Sequence, residues 1–220
     1  MNNRTLKDLL YEQVARVGKA LASPKRLEML EMLAQGEKAV ETVAAEVGID
    51  VKLASAHLKA LKEARLVQTR REGKRIVYRL SGSDIAQLGV MLRQVAEEHV
   101  LELQMALQQM MAEPDRLAQV SRKELLAQAK RGDLVVLDVR PPEEFDAAHL
   151  PFARSVPLPE LTQRLAELPR DVEIVAYCRG PFCLMSDEAV KLLRASGYRA
   201  RKTFDGVSEW RAAGLPLARR

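Results

Sequence analysis

Two cysteines, five residues apart, are the residues of this chain best suited to covalent chemistry. Cys178 follows the apolar segment 173–177, and an Arg-Gly-Pro-Phe loop separates it from Cys183. A helix predicted at 186–196 would direct backbone N–H groups at this loop and, with Arg179, would lower the pKa of the Cys178 thiol. The residues alone leave one alternative open, in which Cys178 is a small buried hydrophobe.

The elements around this loop alternate between strand and helix. A capping box at Ser121–Glu124 opens the second half of the chain. Apolar strands separated by helices predict a parallel sheet that is covered by helices, with the ligand crevice at the carboxyl ends of the strands. The strands are predicted at 134–139, 173–177 and 198–204, and the helices at 142–145, 159–168 and 186–196.

Four segments of this half carry a resemblance to a known family. They are VVLDVRPPEEF, AAHLPFA, VAYCRGPFC and FDGVSEW, in this order. Residues 118–218 thereby resemble the single-domain rhodanese fold. The resemblance implies that Cys178 takes a sulfane sulfur from a donor as a persulfide and passes it to a thiol acceptor. It implies supporting roles for the loop residues Arg179, Gly180, Pro181, Phe182 and Cys183 and for Asp138 and Arg140, and structural roles for Glu144 and His149.

The segment also departs from the family pattern. Cys183 is unusual for the simplest sulfurtransferases, and it either only packs or resolves a persulfide on Cys178 as an intramolecular disulfide or polysulfide. Ala148 and Phe152 stand where two glycines are usual, which would narrow the crevice. Related phosphatases of this fold end the loop in an arginine six residues after the cysteine, and this chain has Leu184 there. Phosphatase or arsenate-reductase chemistry would therefore lack its oxyanion clamp.

The first half is predicted to be helical, with one hairpin. Leucines and valines recur at helical spacing through residues 6–21, and Ser23-Pro24 restarts a helix that ends at Gly36. Two short helices, 40–47 and 52–64, flank a turn at 48–50, which is the spacing of a helix-turn-helix. Leu53, Leu58 and Leu61 are expected to face inward. The segments 66–71 and 74–80 around Glu72-Gly73 predict a β-wing.

Positive charge is concentrated on these elements. The chain carries +5 overall, whereas residues 59–79 alone carry +6, from eight lysines and arginines and two glutamates. Such a concentration favours a polyanionic partner, because each cation that meets a phosphate releases counterions. A solvated basic face is the alternative.

This half resembles a second family. SPKRLEMLEML and VETVAAEVGIDVKLASAHLKALKEARLVQTRREGKRIVYRLS are similar to the winged helix of ArsR/SmtB-type bacterial repressors, over residues 4–112. The resemblance implies binding to double-stranded operator DNA. Metal-sensing members carry a cysteine pair where this chain has VETVA, and Ala86 replaces an expected histidine, so no metal site and no cofactor are expected. The implied DNA contacts are Lys52, Ser55, His57 and Lys59 on the second helix, and Arg70, Arg71, Lys74 and Arg75 on the wing.

A long amphipathic segment connects the two halves. Residues 83–111 contain no proline and one glycine, with apolar residues at helical spacing. One helix of this length usually needs a partner, so it favours a homodimer interface, with packing inside its own domain as the alternative. Glu113-Pro114-Asp115 breaks the helix. The predicted organisation is a winged-helix DNA-binding and dimerisation domain at 1–112, a linker at 113–120 and a rhodanese-like domain at 121–220.

Composition limits the remaining function classes. The chain is 47% hydrophobic and 30% charged, which excludes wholesale disorder. No apolar run approaches the roughly 20 residues of a membrane span, and the first residues lack a signal-peptide pattern, so a cytoplasmic protein without a membrane partner is expected. The preferred hypothesis is a homodimeric transcriptional repressor whose rhodanese domain senses or transfers reactive sulfur. A sulfurtransferase tethered by the winged helix is the alternative, and a Cys178/Cys183 arsenate reductase is a weaker one.

Overall fold

The computed structural model describes residues 2–110, 117–118 and 120–220, and the chain divides into two units, Met1–Gly89 and Val90–Arg220. Most of the predicted linker 113–120 lies outside the described residues. Leu117 and Ala118 are described, and they bridge to Lys202 at the edge of a sheet.

The first unit is a set of helices with a small antiparallel sheet. Asn2 caps the first helix by accepting from the Thr5 N–H group, and Asp50 caps the fourth by accepting from Leu53. Gly48 ends the third helix in the left-handed conformation, at φ 69°. The sheet has the order β1-β3-β2. The elements are α1 (Asn3–Leu21), α2 (Pro24–Gln35), β1 (Lys38–Ala39), α3 (Val40–Val47), α4 (Val51–Glu63), β2 (Val67–Glu72) and β3 (Arg75–Leu80).

The predicted helix-turn-helix and β-wing are confirmed, with one correction to the face of α4. Leu53 was predicted to face inward, but it is 44% exposed, and Ala54 is fully buried instead. The reason is helical spacing: Ala54, Leu58 and Leu61 lie four and three residues apart and share one face, whereas Leu53 lies beside it.

The connecting segment is interrupted. The structure has α5 (Ser83–His99) and α6 (Leu101–Met110) rather than the predicted continuous helix 83–111, and Met111 lies outside the described residues. The Gln104 side chain donates to the carbonyl oxygens of Glu97 and Glu98, each at 2.9 Å. These carbonyl groups belong to the last turn of α5, so the Gln104 side chain caps the helix where it ends, before Val100.

The second unit contains a four-stranded parallel sheet of order β5-β4-β6-β7. Along β4, Val135 and Leu137 pack into the core on one face, while Leu134 and Val136 pack into the core on the other. The predicted parallel sheet with helices on both faces is therefore confirmed. Besides the end of α5 and α6, the elements are α7 (Arg122–Arg131), β4 (Leu134–Asp138), α8 (Pro142–Ala147), β5 (Arg154–Ser155), β6 (Glu173–Tyr177), α9 (Met185–Ala195), β7 (Ala200–Lys202) and α10 (Val207–Ala212).

One predicted helix of this unit is wrong. Residues 159–168 form only two short 3-10 turns, Leu158–Glu160 and Leu165–Glu167. Pro157 and Pro159 cannot donate backbone hydrogen bonds at the start, and Leu168 is extended because it precedes a proline. Two leucines of the predicted apolar face, Leu161 and Leu168, are nevertheless buried.

No helix of the described ranges has the combined length and apolar character needed to cross a membrane.

Candidate active site and nucleic-acid interface

The cysteine loop lies at the carboxyl end of β6, in the second unit. Cys178 directly follows Tyr177, the last residue of β6, and is 2% exposed. Cys178 and Cys183 form a disulfide, with Cα atoms 6.2 Å apart. The structure thus joins the two sulfur atoms, and a resolving role for Cys183 stays a prediction. Cys183 also packs at the margin of the core that contains β6 and α9.

Arg179 points to a carboxylate rather than acting as an isolated cation. Its Nη2 atom lies 2.5 Å from Oε1 of Glu144, and the Glu144 side chain is 1% exposed. The pair joins the loop to α8. The positive charge that was expected to favour a thiolate at Cys178 is therefore accompanied by a buried negative one.

The rest of the loop separates into buried and exposed positions. Gly180 and Pro181 are buried, whereas Phe182 and Leu184 project outward with 41% and 59% exposure. The Cys183 N–H group donates to the Gly180 carbonyl oxygen at 3.1 Å and so forms a turn within the loop. Leu184 occupies the position of the phosphatase arginine, and its exposed side chain offers no cationic clamp for an oxyanion.

A buried polar cluster lies behind the loop. Asp138 and Arg140 have no exposed surface, and the Arg140 Nη2 atom lies 2.6 Å from Oδ2 of Asp138. Arg140 also donates to the Ala148 carbonyl oxygen at 2.8 Å. Tyr177 was not predicted, yet its hydroxyl donates to Asp138 and accepts from the Leu150 N–H group. The available signal was the position of this tyrosine, at the end of β6 and directly before Cys178.

Burial and ionic partners set the protonation states in this cluster. Burial raises the pKa of Tyr177 well above its ordinary value, and the neighbouring Asp138 carboxylate raises it further. Burial alone would lower the pKa of Arg140, but the hydrogen bonds and charge of Asp138 outweigh burial and raise it. The cluster therefore holds a neutral phenol and a charged guanidinium–carboxylate pair. It connects β4, β6 and the segment after α8, and so supports the strand end that carries Cys178.

Gly206, just before α10, is a second residue that sequence reasoning missed. An added Cβ atom there would lie 2.4 Å from the Arg179 carbonyl oxygen and 2.7 Å from that of Cys178. The backbone of the cysteine loop therefore packs directly on the Cα of Gly206. The motif FDGVSEW contained this glycine, but nothing local showed what it would contact.

The histidine segment packs against α8. His149 is buried, its Nδ1 atom lies 2.8 Å from the Phe145 carbonyl oxygen, and its ring stacks on that of Phe145 at 3.7 Å. Phe152, which stands where the family has a glycine, keeps the left-handed backbone conformation, at φ 65°. The other departing residue, Ala148, has an ordinary extended conformation.

The implied DNA contacts on α4 differ in their exposure. Lys52 and Lys59 are exposed, while Ser55 and His57 are half-buried. Lys59 approaches Glu63 of the same helix at only 3.9 Å, with both side chains largely exposed. Lys52 and Lys59 thus lie on the face opposite the buried Ala54 and Leu58, whereas Ser55 and His57 flank that buried face.

The wing residues differ in how their charges are balanced. Arg70 donates three hydrogen bonds to Glu37, at 2.6, 3.0 and 3.2 Å, and lies 3.4 Å from Glu72. The hydrogen bond from Arg70 lowers the pKa of Glu37. Lys74 and Arg75, at the tip, are exposed and form no ion pair within the described part of the chain. The tip therefore carries the uncompensated positive charge.

In the described ranges, no three His, Cys, Asp or Glu side chains are grouped so that they could hold a metal ion.

Comparisons with known proteins match both halves. The family described as "Rhodanese-like domain" matches residues 121–213, and "Bacterial regulatory protein, arsR family" matches residues 23–69. The HTH-type transcriptional regulator Rv0324 of Mycobacterium tuberculosis is 46% identical over 211 residues, which cover 96% of this chain and 92% of that protein. A protein named "Sulfurtransferase" from Allochromatium vinosum is 31% identical over 86 residues, which cover 39% of this chain and 78% of its own length.

Among solved structures, the homodimeric winged helix-turn-helix DNA-binding domain of Mb0332 from Mycobacterium bovis is 49% identical, with a TM-score of 0.42. The match covers 46% of this chain and 93% of that one. The relative that spans nearly the whole chain, and the two family matches inside it, establish that this chain belongs to the ArsR-type transcriptional regulators and carries a C-terminal rhodanese domain.

Proposed function

We propose that this regulator is a homodimeric repressor that senses sulfane sulfur through Cys178 and Cys183 and changes its affinity for operator DNA in response. The observation that carries the proposal is the juxtaposition of the two cysteines at the end of β6, close enough for a disulfide. A single-cysteine rhodanese loop would hold only the persulfide, which the next thiol acceptor removes. Two bonded cysteines give the loop an oxidised form that persists after the donor has left.

The chemistry proceeds in two balanced steps. In the reduced protein the Cys178 thiolate attacks the sulfane sulfur of a donor such as an organic persulfide. A sulfur–sulfur bond forms at Cys178, and the donor leaves as a thiolate. The Cys183 thiolate then attacks Sγ of Cys178, and the outer sulfur leaves as hydrosulfide. The two cysteines are oxidised to the disulfide, and the sulfane sulfur is reduced to sulfide.

The DNA-binding part of the proposal rests on α4 and the wing. Lys52, Ser55, His57 and Lys59 would contact the major groove, and Arg71, Lys74 and Arg75 would contact the phosphate backbone or the minor groove. Arg70 also lies on the wing, but its pairing with Glu37 makes it a weaker contact. The exposed tip is the strongest support for a polyanionic partner.

The dimer is supported by exposed apolar side chains. On α5, Met91 and Val95 are 64% and 51% exposed, and on α1, Tyr11 and Val14 are 66% and 69% exposed. Large exposed apolar groups on neighbouring helical turns are a common mark of a protein interface. A homodimer would also place two recognition helices about 34 Å apart, one turn of DNA.

A sulfurtransferase is the second candidate, and the resemblance to the Allochromatium protein favours it. In that case the persulfide on Cys178 would pass to an external thiol faster than Cys183 could attack it. Arsenate reduction is disfavoured by the exposed Leu184 at the clamp position.

Treatment of the reduced full-length protein with sodium tetrasulfide separates these functions. We expect intact mass spectrometry to show the loss of two hydrogen atoms in the wild type, and the gain of one sulfur atom in Cys183→Ser. Cys178→Ser should show neither. In parallel, fluorescence anisotropy with a duplex from the upstream region of the gene should show an affinity change that requires both cysteines.

Two outcomes would count against the proposal. If the affinity for this duplex is the same before and after the disulfide forms, the sensor idea is wrong. Rapid multiple turnover with thiosulfate and a thiol acceptor, together with retained activity in Cys183→Ser, would instead favour the sulfurtransferase.

A further inference from the structure

Arg93 on α5 contacts the cysteine loop from a position remote in sequence. Its side chain is only 13% exposed, and its Nη2 atom lies 2.9 Å from Oε1 of Glu209 on α10. Its Cζ atom lies 5.8 Å from the centre of the Phe182 ring, inside the loop between the two cysteines. Its Nη1 atom lies 2.5 Å from Oε1 of Glu97, one turn along α5. All these residues belong to the second unit.

Glu209 connects Arg93 to the start of the cysteine loop, at Cys178 and Arg179. Its Oε2 atom accepts a hydrogen bond from the Gly206 N–H group at 2.8 Å. Gly206 in turn packs on the backbone carbonyl groups of Cys178 and Arg179. Arg93 is therefore linked to the start of the loop through Glu209 and Gly206, and to its far end through Phe182.

We propose that Arg93 transmits the state of the Cys178–Cys183 pair to α5. The inference rests on the proposed function and names the residue through which the sulfur site regulates the rest of the protein. Phe182 is bonded directly to Cys183, so closing the disulfide confines the Phe182 backbone to a ring of six residues. In the closed form the phenyl ring of Phe182 stays next to the Arg93 guanidinium. When the disulfide opens, the constraint on the Phe182 backbone is lost. Helix α5 begins at Ser83 in the first unit and ends at His99 in the second.

Each contact of Arg93 has a distinct part in this mechanism. Glu209 is 7% exposed, so its carboxylate needs a cation nearby and holds the guanidinium in place. Phe182, at 41% exposure, is the part of the loop free to move when the disulfide opens. Glu97 pairs with Arg93 within α5, and this pair does not depend on the loop.

Hydrogen–deuterium exchange of the full-length protein tests the proposal. The disulfide is closed with diamide, which takes two electrons and two protons from the thiols, and opened with a phosphine reductant. We expect amide exchange in residues 90–99 to be about three-fold slower in the closed form, the size that one partly buried cation–π contact accounts for. Arg93→Met should abolish this difference while the disulfide still closes.

Two further variants keep the test sharp. Phe182→Leu removes the ring at an exposed position and should abolish the difference as Arg93→Met does, even if Arg93→Met folds poorly. Glu97→Gln is the matched control, because it removes only the ion-pair partner of Arg93 within α5. In this variant the three-fold difference in amide exchange between the closed and open forms should remain.

The outcomes distinguish this inference from the proposed function. If the disulfide closes in the wild type but exchange in residues 90–99 does not change, the inference is wrong. The same holds if Arg93→Met and Phe182→Leu respond as the wild type does. Because diamide closes the disulfide without sulfane sulfur, a protein that responds to diamide but not to tetrasulfide would refute the proposed sulfur sensing and leave the role of Arg93 standing.

Discussion

Replacing Gly206 by alanine is the most direct test of how the cysteine loop is held. The added Cβ would lie 2.4 Å from the Arg179 carbonyl oxygen and 2.6 Å from its carbonyl carbon. Ordinary contact needs about 3.5 Å or more, so the loop backbone or α10 must move by about 1 Å. Both obstacles are backbone atoms and cannot rotate away. Overpacking of this kind costs about 1–3 kcal/mol of the free energy of unfolding.

The chain offers a selective probe for this measurement. Trp210 is its one tryptophan, and it is fully buried in the core of the second unit. Urea unfolding followed by tryptophan fluorescence therefore reports on the unit that contains the loop. In the same samples, the rate at which a disulfide reagent reacts with reduced Cys178 reports on the loop itself, and we expect Gly206→Ala to change that rate several-fold.

Gly214→Ala is the matched control. Gly214 has a φ of 67° and no atom within 4 Å of an added Cβ. Alanine there should cost about 1–2 kcal/mol through its left-handed backbone alone, without changing the reaction rate of Cys178. If Gly206→Ala neither destabilises the unit nor changes that rate, the described packing of Gly206 on the loop is refuted.

Three further predictions concern the buried cluster and the wing. Asp138→Asn should destabilise the second unit by about 3–5 kcal/mol, measured by urea unfolding, because it leaves Arg140 buried without its counter-ion; a loss below 1 kcal/mol would contradict the buried pair. Tyr177 should stay protonated in the folded protein above pH 10, so absorbance at 295 nm up to that pH should be the same in Tyr177→Phe. Because its folded pKa exceeds its unfolded value, the unfolded state releases the proton first, and stability should fall as pH rises beyond about 10. Arg75→Ala should weaken binding to duplex DNA and reduce the slope of log K against log salt concentration by about 0.9. Arg70→Ala should change this slope less, because the Arg70 cation is already paired with Glu37. Equal effects of the two substitutions in an anisotropy titration would show that the pairing is irrelevant.

The features that the sequence could predict are those encoded by neighbouring residues. Helical spacing, caps and turn residues located the helix-turn-helix, the wing and most strands, and motif order located the cysteine loop. The failures were also local in origin. The helix predicted at 83–111 is interrupted around Val100 although its apolar spacing is continuous, and prolines at 157 and 159 reduced a well-spaced leucine segment to 3-10 turns.

The parts of the candidate site that could not be predicted depend on contacts between distant residues. Arg179 meets Glu144 across 35 residues, and Arg93 meets Glu209 across 116. Each of these side chains has many equally suitable partners of opposite charge in a chain that is 30% charged. Only the folded backbone selects among them, so the sequence predicted that Arg179 would act on Cys178 and did not predict its pairing with Glu144.

The connectivity of the second sheet has a consequence for synthesis on the ribosome. In the first unit, β2 and β3 pair as neighbouring strands of one hairpin. In the second unit, β4 pairs with β6, so residue 134 lies beside residue 173. The last strand of that sheet, β7, is formed by residues 200–202. Non-local parallel pairing of this kind forms slowly and needs the whole segment to be available. Because domains fold from the N-terminus as they emerge, a nascent chain acquires its helix-turn-helix well before Gly206 and α10 can enclose the cysteine loop. Newly made molecules therefore pass through a stage in which the DNA-binding elements are formed and the cysteines are still unprotected thiols.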